Sequence, residues 1–457
     1  MQSNNPFFRR YSPPGRSRNP WRSLAAILGV LALLYLIYHI PFVHNALAWR
    51  LDSLRASIVY FFRPPEEAIF VPAQVSNTQP SAALTPQATH TPAGPTPTAL
   101  ATRPPLPPSV SLTGFRYIDQ HGGWNLCGPA TLAMALTYWD WAGTRNDVED
   151  YVKPGIQDPN LNRVERGRPD KNVMPYELED FVDTQVPGLQ AVIRVGGELD
   201  TVKQLLAAGF PVVVEKGYSE RDASGRVSWL GHYLFVTGYD EASQEFIVQD
   251  VYLRTGDNGT GANLRSSYEE FQDQWRAFNY LFLVIYPEAQ LDQVIAALGP
   301  WADEEWANQR ALELAQQELA SLTGLQQFFA WFNLGSSHVR LLQYVDAAHA
   351  YDYAFQLYAG LTDDDTQRPY RMMWYQTGPY WAYYYSGRHQ DVISLANTTL
   401  FETIDQPTLE ESLYWRGLAR LAIGETGNAV SDLQEAVRLN KHFWAAIGQL
   451  EALGVNP

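Results

Sequence analysis

The chain of 457 residues contains one cysteine. That excludes an internal disulfide, so no covalent staple holds the fold. It also excludes a cysteine-based zinc site, and no other ligand spacing replaces one. Positive charge is scarce too: 33 Lys and Arg face 49 Asp and Glu, for a net charge of −16. Phosphate binding needs a basic face, so a nucleic-acid partner is excluded. No nucleotide-binding loop is present. The stretch GDNGTG, Gly256 to Gly261, opens no strand-to-helix turn and carries too few carboxylates for calcium. It reads as an ordinary loop, and neither a cofactor nor a metal is expected.

What is present divides by composition. The hydrophobic fraction of 46% supports a sizeable core, and the length suits two or three domains. The run Leu24 to Ile40 has no charged residue; extended to Val43 it reaches about 20 residues, enough for one bilayer crossing. Arg9, Arg10, Arg16, Arg18 and Arg22 precede it. This predicts a cytoplasmic N-terminus over 1–23, a single-pass transmembrane helix over 24–43, and the remainder on the extracytoplasmic side of the cell membrane. No small-x-small cleavage site follows closely, so the anchor is expected to be retained. Residues 44–70 form a juxtamembrane segment with Leu47, Leu51, Leu54 and Ile58 at helical spacing. Residues 71–109, rich in Pro and Thr, read as a semi-rigid linker.

An exported free thiol is exposed to oxidation, and its neighbours say why one is kept. The stretch GWNLCGPATLAMAL places Cys127 just before an apolar run, with Gly128 and Pro129 after it. A helix starting there offers unpaired N–H groups and a positive dipole end, which favour thiolate. Leu132, Ala135, Leu136 and Trp139 would anchor the helix by one face. A thiolate needs a base, and between the linker and residue 290 the histidines are His121 and His232. His232 opens a predicted hairpin: a strand to Tyr239, a turn over Asp240–Gln244, and a strand Glu245–Tyr252. Centring the turn on Ala242 pairs Leu234 with Asp250 and brings His232 and Asp250 to one face. An even turn would separate them unless a bulge restored parity.

These residues carry a resemblance. Gln120, then Cys127-Gly128-Pro129-Ala130, then Gly231-His232-Tyr233-Leu234-Phe235-Val236, then Asp250, resemble the papain-like cysteine peptidases, closest to family thirty-nine, the double-glycine leader peptidases of bacteriocins. Ala207–Gly217 resembles the strand before the histidine in that family. The likeness spans roughly Phe115–Tyr286. It implies a papain-like α+β domain over 110–290, with Cys127 as nucleophile, His232 as general base and acid, Asp250 orienting the imidazole, and Gln120 donating to the oxyanion. Val251 stands where many relatives have Pro. Relatives that trim leaders are usually fused to an export transporter, which this chain lacks, so that substrate is not carried over.

From 300 to 457 the pattern is helical. Three stretches resemble tetratricopeptide units. The first has Trp331, Leu334, Gly335, Ala347, Tyr351 and Ala354; the second turns at Gly387; the third has Gly417, Gly424, Ala429, Leu433 and Ala436. His442–Leu453 would cap the stack. Such arrays bind proteins or peptides, so a protein partner or substrate is expected there. Most of the aromatic cluster Trp374–Tyr385 is expected in the core. The fold class expected is a papain-like α+β peptidase domain plus an all-α tetratricopeptide-like repeat domain, with one N-terminal transmembrane helix. The function expected is a membrane-anchored, extracytoplasmic cysteine peptidase. The alternatives are a non-catalytic peptide-binding scaffold and a cell-wall peptide amidase or transpeptidase.

Overall fold

A computed structural model describes residues 20–73, 105–162, 164–167, 171–221, 226–362 and 368–457. The first arginines and nearly all of the 71–109 linker lie outside the described residues. The chain divides into two compact units, one ending at Leu51 and the other beginning at Asp52.

The expected span over 24–43 is not one helix. Helix α1 runs Pro20–Tyr38, and α2 starts afresh at Pro41 and continues to Phe62. Pro41 has no N–H to donate back into α1, so the turn at His39–Ile40 ends the first helix. The apolar part of α1, 24–38, is about 22 Å long at 1.5 Å per residue, short of the ~30 Å hydrocarbon layer. Among the described residues no helix is long and apolar enough to cross a membrane.

The second unit takes in more than the 110–290 and 300–457 regions. Residues 64–73 pack into it: Phe70 meets Phe355 edge-on at 5.0 Å, and the Ala73 N–H donates to Asp391 Oδ1 at 2.8 Å. Its α/β half runs β1 (Ser109–Ser111), α3 (Cys127–Thr137), α4 (Arg145–Val152), α5 (Pro175–Gln185), β2 (Leu189–Arg194), α6 (Leu199–Ala207), β3 (Val212–Arg221), β4 (Val227–Asp240), β5 (Glu245–Gln249), β6 (Leu264–Ser267), α7 (Tyr268–Arg276), β7 (Phe282–Pro287) and α8 (Leu291–Leu298). The antiparallel sheet has the order β2-β7-β3-β4-β5-β6, and β1 pairs with the end of β4 beyond the reach of β3. Strand alternation sorts the core onto two faces. Val213, Tyr233, Phe235 and Leu283 pack with α3–α5, whereas Val212, Val214, Leu234 and Val236 pack with α6–α8. Helix α3 is buried on every side from Gly128 to Thr137, not on one face.

The helical half comprises α9 (Glu304–Glu318), α10 (Gly324–Arg340), α11 (Tyr344–Gly360), α12 (Met372–Tyr375), α13 (Gly378–Tyr385), α14 (His389–Thr398), α15 (Glu410–Ala422), α16 (Thr426–Leu439) and α17 (Trp444–Ala452). The three expected hairpins are α10–α11, α13–α14 and α15–α16, with Gly387 and Gly424 turning at φ 78° and 87°. Gly335 lets the first pair close: a Cβ there would lie 2.7 Å from the Tyr351 ring. The helical core also takes in Val195, Trp229, Phe278 and Leu281 from the α/β half, so the two halves share one interior.

A buried ionic triad reinforces that join. Lys171 Nζ lies 2.7 Å from Glu177 and 2.6 Å from Glu410 on α15. One ammonium serves two carboxylates, and burial pushes the Glu177 carboxyl up to about 7 despite Lys171. Lys171→Met leaves both acids uncompensated. It is expected to lower stability at pH 8 by about 3–5 kcal/mol, in denaturant melts. The loss should shrink as pH falls toward 5 and Glu177 takes up a proton.

Candidate active site

Helix α3 begins at Cys127, so the thiol stands where the first N–H groups have no carbonyl one turn back. The chain enters through Asn125 in the left-handed region, φ 49°. The fully buried Lys153, just beyond α4, donates to the Trp124 and Asn125 carbonyls at 3.2 and 3.0 Å. That ammonium claims both carbonyls and fixes the loop ahead of the thiol. Gly128 keeps the approach close: a Cβ there would lie 3.3 Å from Tyr233 and Val173.

His232 and Asp250 come together by the bulge that parity demanded. The β4–β5 loop has four residues, Glu241–Gln244, since Asp240 pairs with Glu245. An even loop puts His232 and Asp250 on opposite faces. The register slips at Thr237, between Val236 and Gly238, after which Val236 pairs with Val248 and Phe235 with Gln249. That restores the spacing, and Gln249 donates to Thr237 Oγ1 at 2.9 Å across the bulge. Strand β5 ends at Gln249, one residue before Asp250.

The imidazole Nε2 lies 3.0 Å from Asp250 Oδ1. Nδ1 is thereby left for the Cys127 thiol, which hydrogen-bonds to His232. Asp250 Oδ1 also accepts from the Tyr252 and Leu253 N–H groups at 2.8 and 3.0 Å, and Lys216 Nζ stands 3.9 Å from Oδ2. The three groups shift together. Burial pushes the Cys127 thiol up, but the hydrogen bond and charge of His232 outweigh it, and the thiol falls below its ordinary value. Burial pushes His232 down, but Asp250 and the thiol raise it to about 9. Burial pushes Asp250 up, but His232, Lys216 and the Leu253 N–H hold it well below the carboxylate range. The arrangement therefore favours thiolate beside imidazolium over two neutral groups.

Gln120 lines the same pocket as Cys127 and His232, and its backbone N–H donates to the Val251 carbonyl at 2.9 Å. Its side-chain Oε1 is buried with no partner among the described residues. His121 goes elsewhere: it pairs with Asp119 at 2.9 Å and stacks on Tyr252 at 5.3 Å.

The loop Gly256–Gly261 proves structural. The Asp250 N–H donates to the Gly261 carbonyl at 2.8 Å, and Tyr117 Oη bridges the Asp250 carbonyl and the Gly261 N–H at 2.8 and 3.0 Å. A Cβ on Gly261 would meet the Asp250 carbonyl oxygen at 1.9 Å. Gly261→Ala must therefore displace the aspartate. It is expected to cost about 1–3 kcal/mol and to slow Cys127 alkylation at pH 7, read together by denaturant melt and thiol titration. Among the described residues no cluster of His, Cys, Asp or Glu could hold a metal.

The pocket over the thiol, about 150 Å³, draws walls from segments that sequence reasoning did not connect with it. Ala56 and Tyr60 of α2 form one side, and Arg371, Trp374 and Tyr375 of the helical half another. Arg55 of α2 binds Asp405, itself in the pocket wall, at 2.7 Å. No sequence signal marked Trp374 and Tyr375, which are buried in the helical core at 5% and 6% exposed and still reach the pocket. Tyr380 and Tyr383 fill the core, while Trp381 and Tyr385 stay 39% and 52% exposed.

Residues 112–282 match the family model described as the Peptidase_C39 like family. No curated protein matches the chain. Among solved structures, one described as a C39-like peptidase from Bacillus anthracis is 15% identical, with 39% of this chain and 98% of that chain covered and a TM-score of 0.30. Xylellain, a cysteine protease from Xylella fastidiosa, is 17% identical over 40% of this chain and 87% of its own, with a TM-score of 0.27. Both scores fall below 0.5, and it is the family match that supports reading residues 112–282 as a C39-like peptidase domain.

Proposed function

We propose that this protein is a cysteine peptidase that cleaves peptide bonds through Cys127, His232 and Asp250. The observation that carries the reading is the thiol on the first residue of α3, hydrogen-bonded to an imidazole whose Nε2 lies 3.0 Å from a buried carboxylate. The Cys127 sulfur attacks the scissile carbonyl carbon, and the negative charge moves to the carbonyl oxygen. The Cys127 N–H and the Gln120 side-chain amide donate to that oxygen. Collapse expels the amine, which takes the proton from His232, and leaves a thioester on Cys127. Water, deprotonated by His232, then attacks the thioester and releases the acid. Asp250 keeps the imidazole oriented throughout.

The helical half, read as tetratricopeptide-like repeats, recruits a protein substrate or partner, and its Trp374 and Tyr375 border the reacting thiol. The location proposed is the outer face of a membrane, with the N-terminus as the tether. Leu24, Ile27, Leu28, Leu31, Leu34 and Leu36 of α1 are all 46% exposed or more, a continuous apolar surface that demands lipid or a partner. Full-length protein is expected in the membrane pellet after an alkaline wash; release into the supernatant would refute the tether. For the activity, a peptide library digested by the full chain should show cuts that vanish with Cys127→Ala. Identical digests from both proteins would sink the reading. Cuts confined to wall-derived peptides would reassign it to a wall amidase.

A further inference from the structure

A second cavity, of about 390 Å³, opens beside the catalytic pocket, and Tyr375 lines both. It lies between the α/β and helical halves. One polar group in its wall has no role so far: Glu215, 2% exposed, on β3. Glu215 faces Tyr233 across the β3–β4 ladder. Cross-strand partners share a face, so Glu215 points to the side on which Tyr233 meets Gly128, one residue after the nucleophile. Its neighbour Lys216 faces His232 and serves Asp250 on the other side.

Glu215 makes no hydrogen bond or ion pair with any described residue. Burial pushes its carboxyl well above the ordinary range, and the charge of Cys127 pushes it the same way. A buried acid without a partner costs stability unless something else uses it. The cavity's arginine, Arg340, does not answer it. Arg340 is coupled to Glu304, Glu179 and Arg194, not to Glu215. The same cavity has apolar wall from Met174, Phe278, Leu281 and the Tyr375 ring, beside the polar Asn279, Asn308 and Gln376. A buried carboxyl in a cavity with this apolar wall matches a side chain with a long methylene stem and a cationic end.

We propose that Glu215 is the floor of a specificity subsite for a lysine or arginine side chain of the peptide substrate, adjacent to the bond that Cys127 attacks. This rests on the peptidase reading for its biology but not for its test. A peptidyl ketone electrophile alkylates Cys127 whether or not the enzyme turns over. Two such probes, identical except for lysine or norleucine at the second residue from the warhead, are applied to the full chain in detergent. The rate of Cys127 modification is read by intact mass. The lysine probe is expected to react at least about tenfold faster in the wild type, because norleucine leaves the carboxyl unpaired. In Glu215→Gln, verified by its melt, that ratio should fall below about threefold. Equal rates in the wild type would overturn the proposal, as would an unchanged ratio in Glu215→Gln. A lysine preference with no peptide cleavage would retain the subsite and refute the peptidase. A Cys127 that iodoacetamide modifies but neither probe does would end both.

Discussion

His232→Ala is expected to silence the protein: peptide cleavage should fall by at least about 10³-fold, since one residue acts as both base and acid. Loss of activity alone does not identify the cause, so the thiol itself is the better witness. In the wild type, iodoacetamide should modify Cys127 well below pH 8.5, because His232 holds the thiol below its ordinary value. Without the imidazole, burial raises the thiol and only the backbone groups of Tyr233 and Gly128 still oppose it. Modification at pH 7 is then expected to slow by at least about tenfold, after allowing for the greater intrinsic nucleophilicity of a more basic thiolate. Cleavage in the wild type should follow a bell in pH. It rises as the thiolate forms and falls as His232 loses its proton near about 9. Stability follows the same groups. The raised His232 contributes fully below about 6.5 and loses its contribution as pH climbs through about 9. The depressed Asp250 contributes above about 3.9 and loses its contribution as pH falls below that. The pair is therefore strongest between these limits. Equal alkylation profiles in wild type and His232→Ala would mean that the imidazole does not govern the thiol.

How much of this was legible beforehand depends on the range over which each feature is encoded. The helix start at Cys127 is local: Gly and Pro follow the cysteine, and an apolar run follows them. The hairpin is nearly local, and its parity problem could be stated from the residues alone. Its solution could not, because a bulge at Thr237 depends on a glutamine twelve residues away and on the residue after β1, Leu112, whose N–H donates to the Thr237 carbonyl at 2.8 Å. Lys153 and Tyr117 were invisible for the same reason. Nothing near a lysine or tyrosine reveals that it will hold the loop before Cys127 or the backbone of Asp250.

The N-terminal region shows the opposite failure. Hydropathy counted 24–43 as one stretch, whereas backbone chemistry divides it, because a proline lacking an N–H stands at position 41. Sequence reading made residues 44–70 a juxtamembrane segment and set the peptidase domain beyond a linker. The structure instead buries Tyr60 and Phe70 in the same unit as Cys127, with Tyr60 at the pocket wall. Helical spacing in 44–58 was a real signal, but periodicity shows that a face is apolar and not what covers it.

The charge on Asp250 can be separated from its shape. Asp250→Asn keeps an oxygen that can accept from His232 and from the Tyr252 and Leu253 N–H groups, but it removes the anion that outweighs burial at the imidazole. His232 should then titrate well below about 9, because only the thiol is left to oppose burial. At pH 8 the fraction of imidazolium therefore falls, and cleavage should fall with it. Near pH 6 much of the loss should disappear, since the ring is again protonated, so the optimum moves to the acid side. That movement distinguishes an orienting and charge-supplying aspartate from one that merely fills space. If Asp250 were only structural, the variant would lose the same fraction at every pH and its alkaline limb would stay near about 9. Lys216 sharpens the test. Buried opposite His232 and 3.9 Å from Asp250 Oδ2, it loses its nearest anion in the variant. Burial already pulls its ammonium below the usual lysine range, and without Asp250 the neutral amine is favoured further. Asp250→Asn paired with Lys216→Met removes both charges. It should recover the stability that Asp250→Asn loses, yet leave the acid-shifted optimum in place, because a hydrophobic residue at 216 restores packing but cannot restore the imidazolium.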